Sequence, residues 1–205
     1  MNRRELLAST GGMVALGGCL DSDSETQDPG TESPPSPPFE IVTIDARGST
    51  AGTVRVPQPE RVLLCNFTRT QCPTSRAHLS TLAEAKRRLE EAGYAIDGDE
   101  ADARFLSIVD DTSGPYPSDD ELRIWFDENG GNWPLGHDRD GTCYEFYEIT
   151  GYPTTMTVDR TGEVRWRNQS GTSPATIVTA VERALAEGTA GGGENTSETV
   201  ENLTF

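Results

Sequence analysis

The sequence predicts an α/β domain, a central mixed sheet flanked by helices and preceded by an N-terminal β-hairpin. Three stretches carry this expectation. Val62 to Phe67 is an apolar run of strand length without polar alternation, as a strand buried on both faces requires. Between Pro73, suited to a first helical position, and Gly93, suited to a left-handed stop, Leu79, Leu82, Ala85 and Leu89 recur at helical spacing. Arg104 to Val109 is a second apolar run, and strand, helix, strand at this spacing is a parallel crossover.

The other elements follow from local chemistry. Phe39 to Ala46 and Thr53 to Val56 alternate well enough to pair across the polar turn Arg47 to Gly52, and Pro57 and Pro59 end the hairpin. Ser118 to Asn129 opens with a serine and three acidic residues, as a capped helix does, with Leu122, Ile124, Trp125 and Phe126 as its buried side. Trp133-Pro134-Leu135 reads as a short extended piece and Gly141 to Ile149 as a helix. Thr154 to Asp159 and Glu163 to Asn168 form a second hairpin around Arg160-Thr161-Gly162. A last helix, Pro174 to Ala186, carries Ile177, Val181, Ala184 and Leu185 on one face.

The ends of the chain are of a different kind. Residues 1–19 contain Arg3-Arg4-Glu5-Leu6-Leu7, a twin-arginine-type start, and Leu16-Gly17-Gly18-Cys19, which resembles a lipoprotein signal cleaved before its cysteine. That resemblance implies lipid on Cys19 and a position on the outer face of the cell membrane. Residues 20–38 are acidic and Pro-rich, too polar to offset the entropy of ordering them, and are read as a disordered linker. Residues 39–187 are the length of one domain, and 188–205 are a polar tail, also read as disordered. Of four Asn-x-Ser/Thr sites, Asn66 falls in the buried strand, Asn168 in the second hairpin, and Asn195 and Asn202 in the tail, where glycosylation is expected if anywhere.

Thirty-four acidic residues stand against seventeen basic ones, all but one of them arginine, for a net charge of -17. Nucleic-acid binding is disfavoured, because phosphate contacts need a basic face and only the ordinary helix run Lys86-Arg87-Arg88 is basic. At molar salt the Debye length falls to about 3 Å, so such self-repulsion is screened. Together with the twin-arginine start, the composition resembles that of extracytoplasmic proteins from salt-loving archaea.

The chemistry centres on Cys72. The predicted strand gives way to a polar turn, then Cys72-Pro73, then the helix, so the thiol sits at a helix N-terminus. Unpaired N–H groups and the positive end of the helix dipole favour a thiolate there, which makes a cysteine nucleophilic near neutral pH. Cys65 lies inside the buried strand, and Cys143 falls in the Gly141 to Ile149 helix.

The run of strand, Cys72-Pro73, helix and strand, followed by Gly151-Tyr152-Pro153-Thr154-Thr155 and Asp159-Arg160-Thr161-Gly162-Glu163-Val164, resembles the thioredoxin-like superfamily. With the N-terminal hairpin and the extra helix at 118–129, it is most similar to the TlpA/ResA-like membrane-anchored thiol-disulfide oxidoreductases and their AhpC/TSA relatives. The resemblance implies a cis bond before Pro153, a Tyr152 backbone that pairs with an extended substrate peptide, and attack by Cys72 on that peptide's disulfide. It implies as partners cysteine-containing extracytoplasmic proteins and an external thiol or redox partner, with the membrane reached through the lipid anchor. It calls for no cofactor and no metal.

The pattern is incomplete. Where a dithiol enzyme has its second cysteine the chain has Ser75, and one position on it has Arg76, so the site is Cys-x-x-Ser. Release of a mixed disulfide then needs an external thiol or Cys143 as a resolving cysteine. Arg76 is either a charge that holds the thiolate or a solvated helix residue. Two other readings stay open. A peroxiredoxin-like activity asks for Thr or Ser where Arg69 stands, with Thr68 and Thr70 on either side. An SCO-like copper chaperone asks for a second cysteine at Arg76 and a histidine near Tyr152, leaving only Cys72, Cys143 and His137 as ligands, with His78 as the other histidine. A catalytically inactive binding module on the same fold is the third alternative.

Overall fold

The computed structural model describes residues 34–110, 114 and 116–190, with side chains to residue 187. The twin-arginine start, Cys19, most of the linker, Asn195 and Asn202 lie outside the described residues. The elements in chain order are β1 (Phe39–Thr43), β2 (Gly52–Val56), β3 (Val62–Thr68), α1 (Pro73–Glu91), β4 (Ala103–Asp110), α2 (Asp119–Glu128), β5 (Leu135–Asp138), α3 (Thr142–Phe146), β6 (Thr154–Val158), β7 (Val164–Gln169) and α4 (Pro174–Ala190).

One seven-stranded mixed sheet in the order β2-β1-β5-β4-β3-β6-β7 joins all the strands. Its parallel centre is β3, β4 and β5, with Val62 opposite Ala103 and Ser107 opposite Leu135. Antiparallel β6 pairs β3 on the other side, and β7 follows β6 as the predicted hairpin. The β1–β2 hairpin joins the sheet through β5, where Val42 faces His137. The predicted α/β fold, mixed sheet and N-terminal hairpin are all present.

Every residue of β3 is buried, and its alternate side chains serve two cores. Val62 and Leu64 face Leu79, Leu82, Ala85 and Leu89 of α1, with Phe126 of α2, Trp133, and Ile177 and Val181 of α4. Leu63, Cys65 and Phe67 face the other way, onto Cys143, Tyr144 and Tyr147 around α3 and onto Phe39 and Ile41 of the hairpin. Each fully buried aliphatic or Phe side chain contributes roughly 1.5–3 kcal/mol, so this one strand anchors both layers.

The helix ends follow the local chemistry. Ser118 caps α2 in a complete capping box, its hydroxyl accepting from the Glu121 N–H while the Glu121 carboxylate accepts from the Ser118 N–H at 2.8 Å. Down α1, Glu84, Arg87, Arg88 and Glu91 form helical ion pairs, and Lys86 bonds both Glu90 (3.0 Å) and Asp97 (3.3 Å). At the β6–β7 edge a register shift falls at Thr157/Val158, and Arg165 is clasped by Asp159, Glu163 and Glu187.

Four expectations are corrected. The extended piece at Trp133 is strand β5, but it begins only at Leu135 and runs through His137 to Asp138, because Pro134 has no N–H and offers its carbonyl to Ser107 N. The helix expected to reach Ile149 ends at Phe146, before Glu148 takes a left-handed backbone conformation at φ 50°. Ile124 is 47% exposed and Trp125 only partly buried, since a ten-residue helix turns just Leu122 and Phe126 fully inward. The last helix, expected to end at Ala186, continues as α4 to Ala190.

Gly136 shows how tightly β5 is held. A Cβ there would lie 2.6 Å from the Val42 carbonyl oxygen and 2.8 Å from Ile41, whereas at Gly52 the nearest atom is 3.9 Å away. Gly136→Ala is expected to lower stability by about 1–3 kcal/mol, and Gly52→Ala by less than about 0.5 kcal/mol, in urea unfolding. Equal midpoints for the two variants would contradict this packing.

Candidate active site at Cys72

The site lies where β3 ends and α1 begins. Cys72 is the N-cap residue of α1, with extended backbone angles (φ -89°, ψ 115°), and Pro73 occupies the first turn. The Cys72 carbonyl accepts the first helical bond, from Arg76 N at 3.1 Å, and the Cys72 N–H donates to the Arg69 carbonyl at 3.1 Å. This pins the backbone of the turn and leaves the thiol partly exposed above the first turn. Partial burial pushes its pKa up, but the N–H and hydroxyl groups of Ser75 and Thr74 outweigh it, and the thiol stays below its ordinary value.

Tyr152 and Pro153 come from the loop before β6. Their peptide bond is cis. The Cys72 thiol donates to the Tyr152 carbonyl with sulfur and oxygen 3.7 Å apart, so the three sequence-predicted residues meet at one place. Thr154 Oγ1 donates to the Gly151 carbonyl (2.7 Å) and Ser170 N to the Pro153 carbonyl (2.8 Å), which ties the loop to the sheet.

The Tyr152 ring is held by residues that sequence reasoning missed. Its hydroxyl donates to Asp110 Oδ2 at 2.7 Å, and the same oxygen accepts from Arg69 Nη2 at 3.0 Å. The Arg69 guanidinium also lies 5.2 Å from the centre of the Tyr152 ring, within cation–π range. Burial, then the hydrogen bond and charge of Asp110, keep the Tyr152 phenol protonated. The only signal in the sequence was an apolar strand ending on a carboxylate, with an arginine three residues before the cysteine.

Cys143 is brought to a different environment. It is fully buried in the layer with Cys65, Tyr144 and Tyr147, and all three described cysteines are free thiols. Burial pushes the Cys65 thiol up to about 12, and burial, with the neighbouring Cys65 and Asp138, pushes Cys143 higher still. Arg76 is exposed on α1. His78 is buried, with Nε2 2.8 Å from Thr155 Oγ1, and His137 Nε2 is 3.2 Å from Asp119 Oδ1. Among the described residues no three His, Cys, Asp or Glu side chains converge as a metal ion requires, and Cys72, Cys143 and His137 form no such group.

The surface around the thiol is open. A groove of about 290 Å³ is lined by Thr70 and Gln71, the two residues before Cys72, and by Tyr116 and Trp125. A groove of about 560 Å³ lined by Asp110, Tyr144, Glu145, Glu148 and Tyr152 adjoins the tyrosine.

Compared with solved structures, the chain aligns with StoA from Bacillus subtilis over 71% of its own length and 96% of the other (TM-score 0.55, 14% identity). The fold is thioredoxin-like. The same thioredoxin-like core aligns with an exposed lipoprotein thioredoxin from Streptococcus pneumoniae (TM-score 0.54, 19% identity, 72% and 99% of the two chains). It also aligns with a secreted disulfide oxidoreductase from Mycobacterium tuberculosis (TM-score 0.53, 13% identity, 71% and 95%). No family model matches the sequence, and no curated protein matches it. No helix among the described residues is long and apolar enough to cross a membrane.

These environments fix how the thiols and the buried imidazole respond to reagents and to pH. Among the three described cysteines, alkylation of the folded chain is expected at Cys72 alone, with Cys65 and Cys143 modified only after unfolding, as read by peptide mass; early labelling of Cys143 would overturn its assignment to the core. Burial depresses His78 from 6.5 to about 4, so the unfolded chain binds the extra proton in that window. The neutral imidazole therefore contributes no penalty above pH 6.5, and stability is lost as the pH falls toward 4. Asp97 and Asp138, raised by burial from 3.8 to about 6, act in the opposite sense over much of the same range. The comparison is thus wild type against His78→Gln: the melting temperature of the variant is expected to fall less between pH 6.5 and 4, and parallel curves would refute a buried neutral His78.

Proposed function

We propose that this chain is an extracytoplasmic, lipid-anchored protein of thiol-disulfide exchange that acts on protein cysteines through a single reactive thiol. The observation that carries the reading is the meeting of Cys72 with the Tyr152 carbonyl at a helix N-terminus that lowers the thiol pKa. A nucleophile held within contact of a backbone carbonyl lets an extended peptide pair with that backbone while presenting its sulfur.

The Cys72 thiolate attacks one sulfur of a substrate disulfide, the old sulfur–sulfur bond breaks, and the second substrate sulfur leaves as a thiolate that takes a proton from water. Cys72 is left in a mixed disulfide. Ser75 has no sulfur to displace it and Cys143 is buried, so an external thiolate attacks the substrate sulfur of the mixed disulfide, forms a new disulfide with it, and returns Cys72 as a thiolate. The shallow grooves at Thr70–Gln71 and at Tyr152 suit an extended polypeptide better than an enclosed small molecule. The names of the structural neighbours, an exposed lipoprotein thioredoxin and a secreted disulfide oxidoreductase, support the same chemistry and the same side of the membrane. Lipid on Cys19 supplies the tether in this reading.

Cys72→Ser is expected to abolish exchange with a disulfide-bonded protein substrate, and the wild type to accumulate a mixed disulfide that a small thiol discharges. Ser75→Cys is expected to release substrate without added thiol, the introduced sulfur closing an intramolecular disulfide with Cys72 that is seen as a loss of two free thiols. Turnover that survives Cys72→Ser would end the proposal. Cleavage before residue 19 and a lipid mass on Cys19, measured on protein from membranes, test the anchor.

A further inference from the structure

Beneath Cys72 the apolar layer between sheet and helix gives way to polar side chains. Asn66, Ser75, His78, Ser107 and Thr155 are each at most 2% exposed. Strand register sets Asn66 beside Ser107 on one side and Thr155 on the other. Asn66 Nδ2 donates to Ser107 Oγ at 3.2 Å, Trp133 Nε1 donates to the same oxygen at 2.9 Å, and Thr155 Oγ1 lies 2.8 Å from His78 Nε2. Ser75 and His78, three apart on α1, share one helix face above this row, and a helical side chain leans back over the preceding turn. Two bonded groups, Trp133–Ser107–Asn66 and Thr155–His78, thus stand side by side through the Asn66–Thr155 register, with Ser75 one turn ahead of His78 on α1.

Two atoms of the row, Asn66 Oδ1 and His78 Nδ1, have no partner, and Ser75 Oγ has none beyond the Cys72 sulfur; all three are shielded from solvent. Buried polar groups in folded proteins are nearly always paired, and a buried water with about three bonds is the usual means where the protein supplies none. The three atoms include two acceptors and one nitrogen that becomes a donor when the proton sits on Nδ1.

We propose that these atoms share one buried water and that His78, through it, is a positioning residue for Cys72: imidazole Nδ1–H donates to the water, the water donates to Asn66 Oδ1 and Ser75 Oγ, and the Ser75 hydroxyl turns its proton to the sulfur. The Thr155 hydroxyl then donates to Nε2, which fixes the tautomer. Burial alone keeps His78 neutral, with no charged group of β3, β6 or α4 contributing, so the relay holds through neutral pH. Hydrogen bonds in such a chain polarise one another, which strengthens the last one, to the thiolate. Exposed Arg76 and the Arg69–Asp110 pair that holds the Tyr152 ring are untouched by the variants below.

This inference rests on the exchange reading for its purpose but not for its measurement, which is the ionisation midpoint of Cys72 in the full chain, from thiolate absorbance and from iodoacetamide labelling followed by peptide mass. Ser75→Ala and His78→Phe are each expected to raise the midpoint by about one unit, roughly tenfold less thiolate at a given pH below it. The double variant is expected to shift no further than either single one, because one relay is broken in each. His78→Asn, whose amide N–H falls where Nδ1–H stood, is expected to keep the low midpoint. Additive shifts, or His78→Asn as harmful as His78→Phe, would overturn the relay. Should the phenylalanine variant not fold, ring-nitrogen NMR of the wild type decides: an Nδ1–H tautomer supports the relay and an Nε2–H tautomer refutes it. Shifted midpoints in a chain that exchanges no disulfide would keep the relay and discard the exchange reading; exchange with unshifted midpoints would do the reverse.

Discussion

Strand β3 is the constraint on which the rest of the molecule depends. It is hydrogen-bonded on both sides, parallel to β4 and antiparallel to β6, and buried on both faces. Neither its register nor its tilt can change without breaking two ladders and two cores at once. The end of β3 therefore fixes where the chain turns and where α1 starts, and so fixes the height of Cys72 above the sheet. The same ladder to β6 carries Tyr152 and Pro153 to that height from a segment eighty residues away, so the thiol and its facing carbonyl are two ends of one piece of sheet geometry.

The polar groups at that end of the sheet divide by solvent access. On the open side, Arg69, Asp110 and Tyr152 form a charged clasp that keeps an aromatic ring beside the thiol. A pair with one partner almost fully buried and the other a third exposed is worth more than a surface ion pair, and its worth here is in orientation. On the closed side the residues are neutral, and Asn66 stands in mid-strand among apolar neighbours. A charge there would carry a large desolvation cost, whereas amide, hydroxyl and neutral imidazole need only be paired.

Much of this was legible in the residues because it rests on short-range chemistry. The apolar run of β3, the proline after Cys72 and the Ser118 capping box each state a local preference that the fold keeps. The parallel crossover follows from spacing. The failures are where tertiary contacts decide. Ile124 sits on a short helix whose inward face is only two residues wide, and periodicity does not give that width. His137 became a strand residue because β5 fills the gap between β1 and β4, a pairing across distant segments. At the site, Cys72, Tyr152 and Pro153 were found through a motif, while Asp110 and His78 carry no motif and gain meaning only from what the fold sets beside them.

The two outer strands of the sheet have a consequence for how the chain behaves in concentrated salt. An open edge invites a second sheet to add on, and proteins commonly repel it with charge. When ions shorten the reach of charge to about 3 Å, that repulsion fades. The register shift in β6–β7 does not fade, because it is a matter of shape: the misfit spoils the flat template a neighbour would need. Arg165, clasped by Asp159, Glu163 and Glu187, stiffens the same border. At that border contour adds to charge as a bar to edge-to-edge pairing, and contour does not depend on the salt concentration.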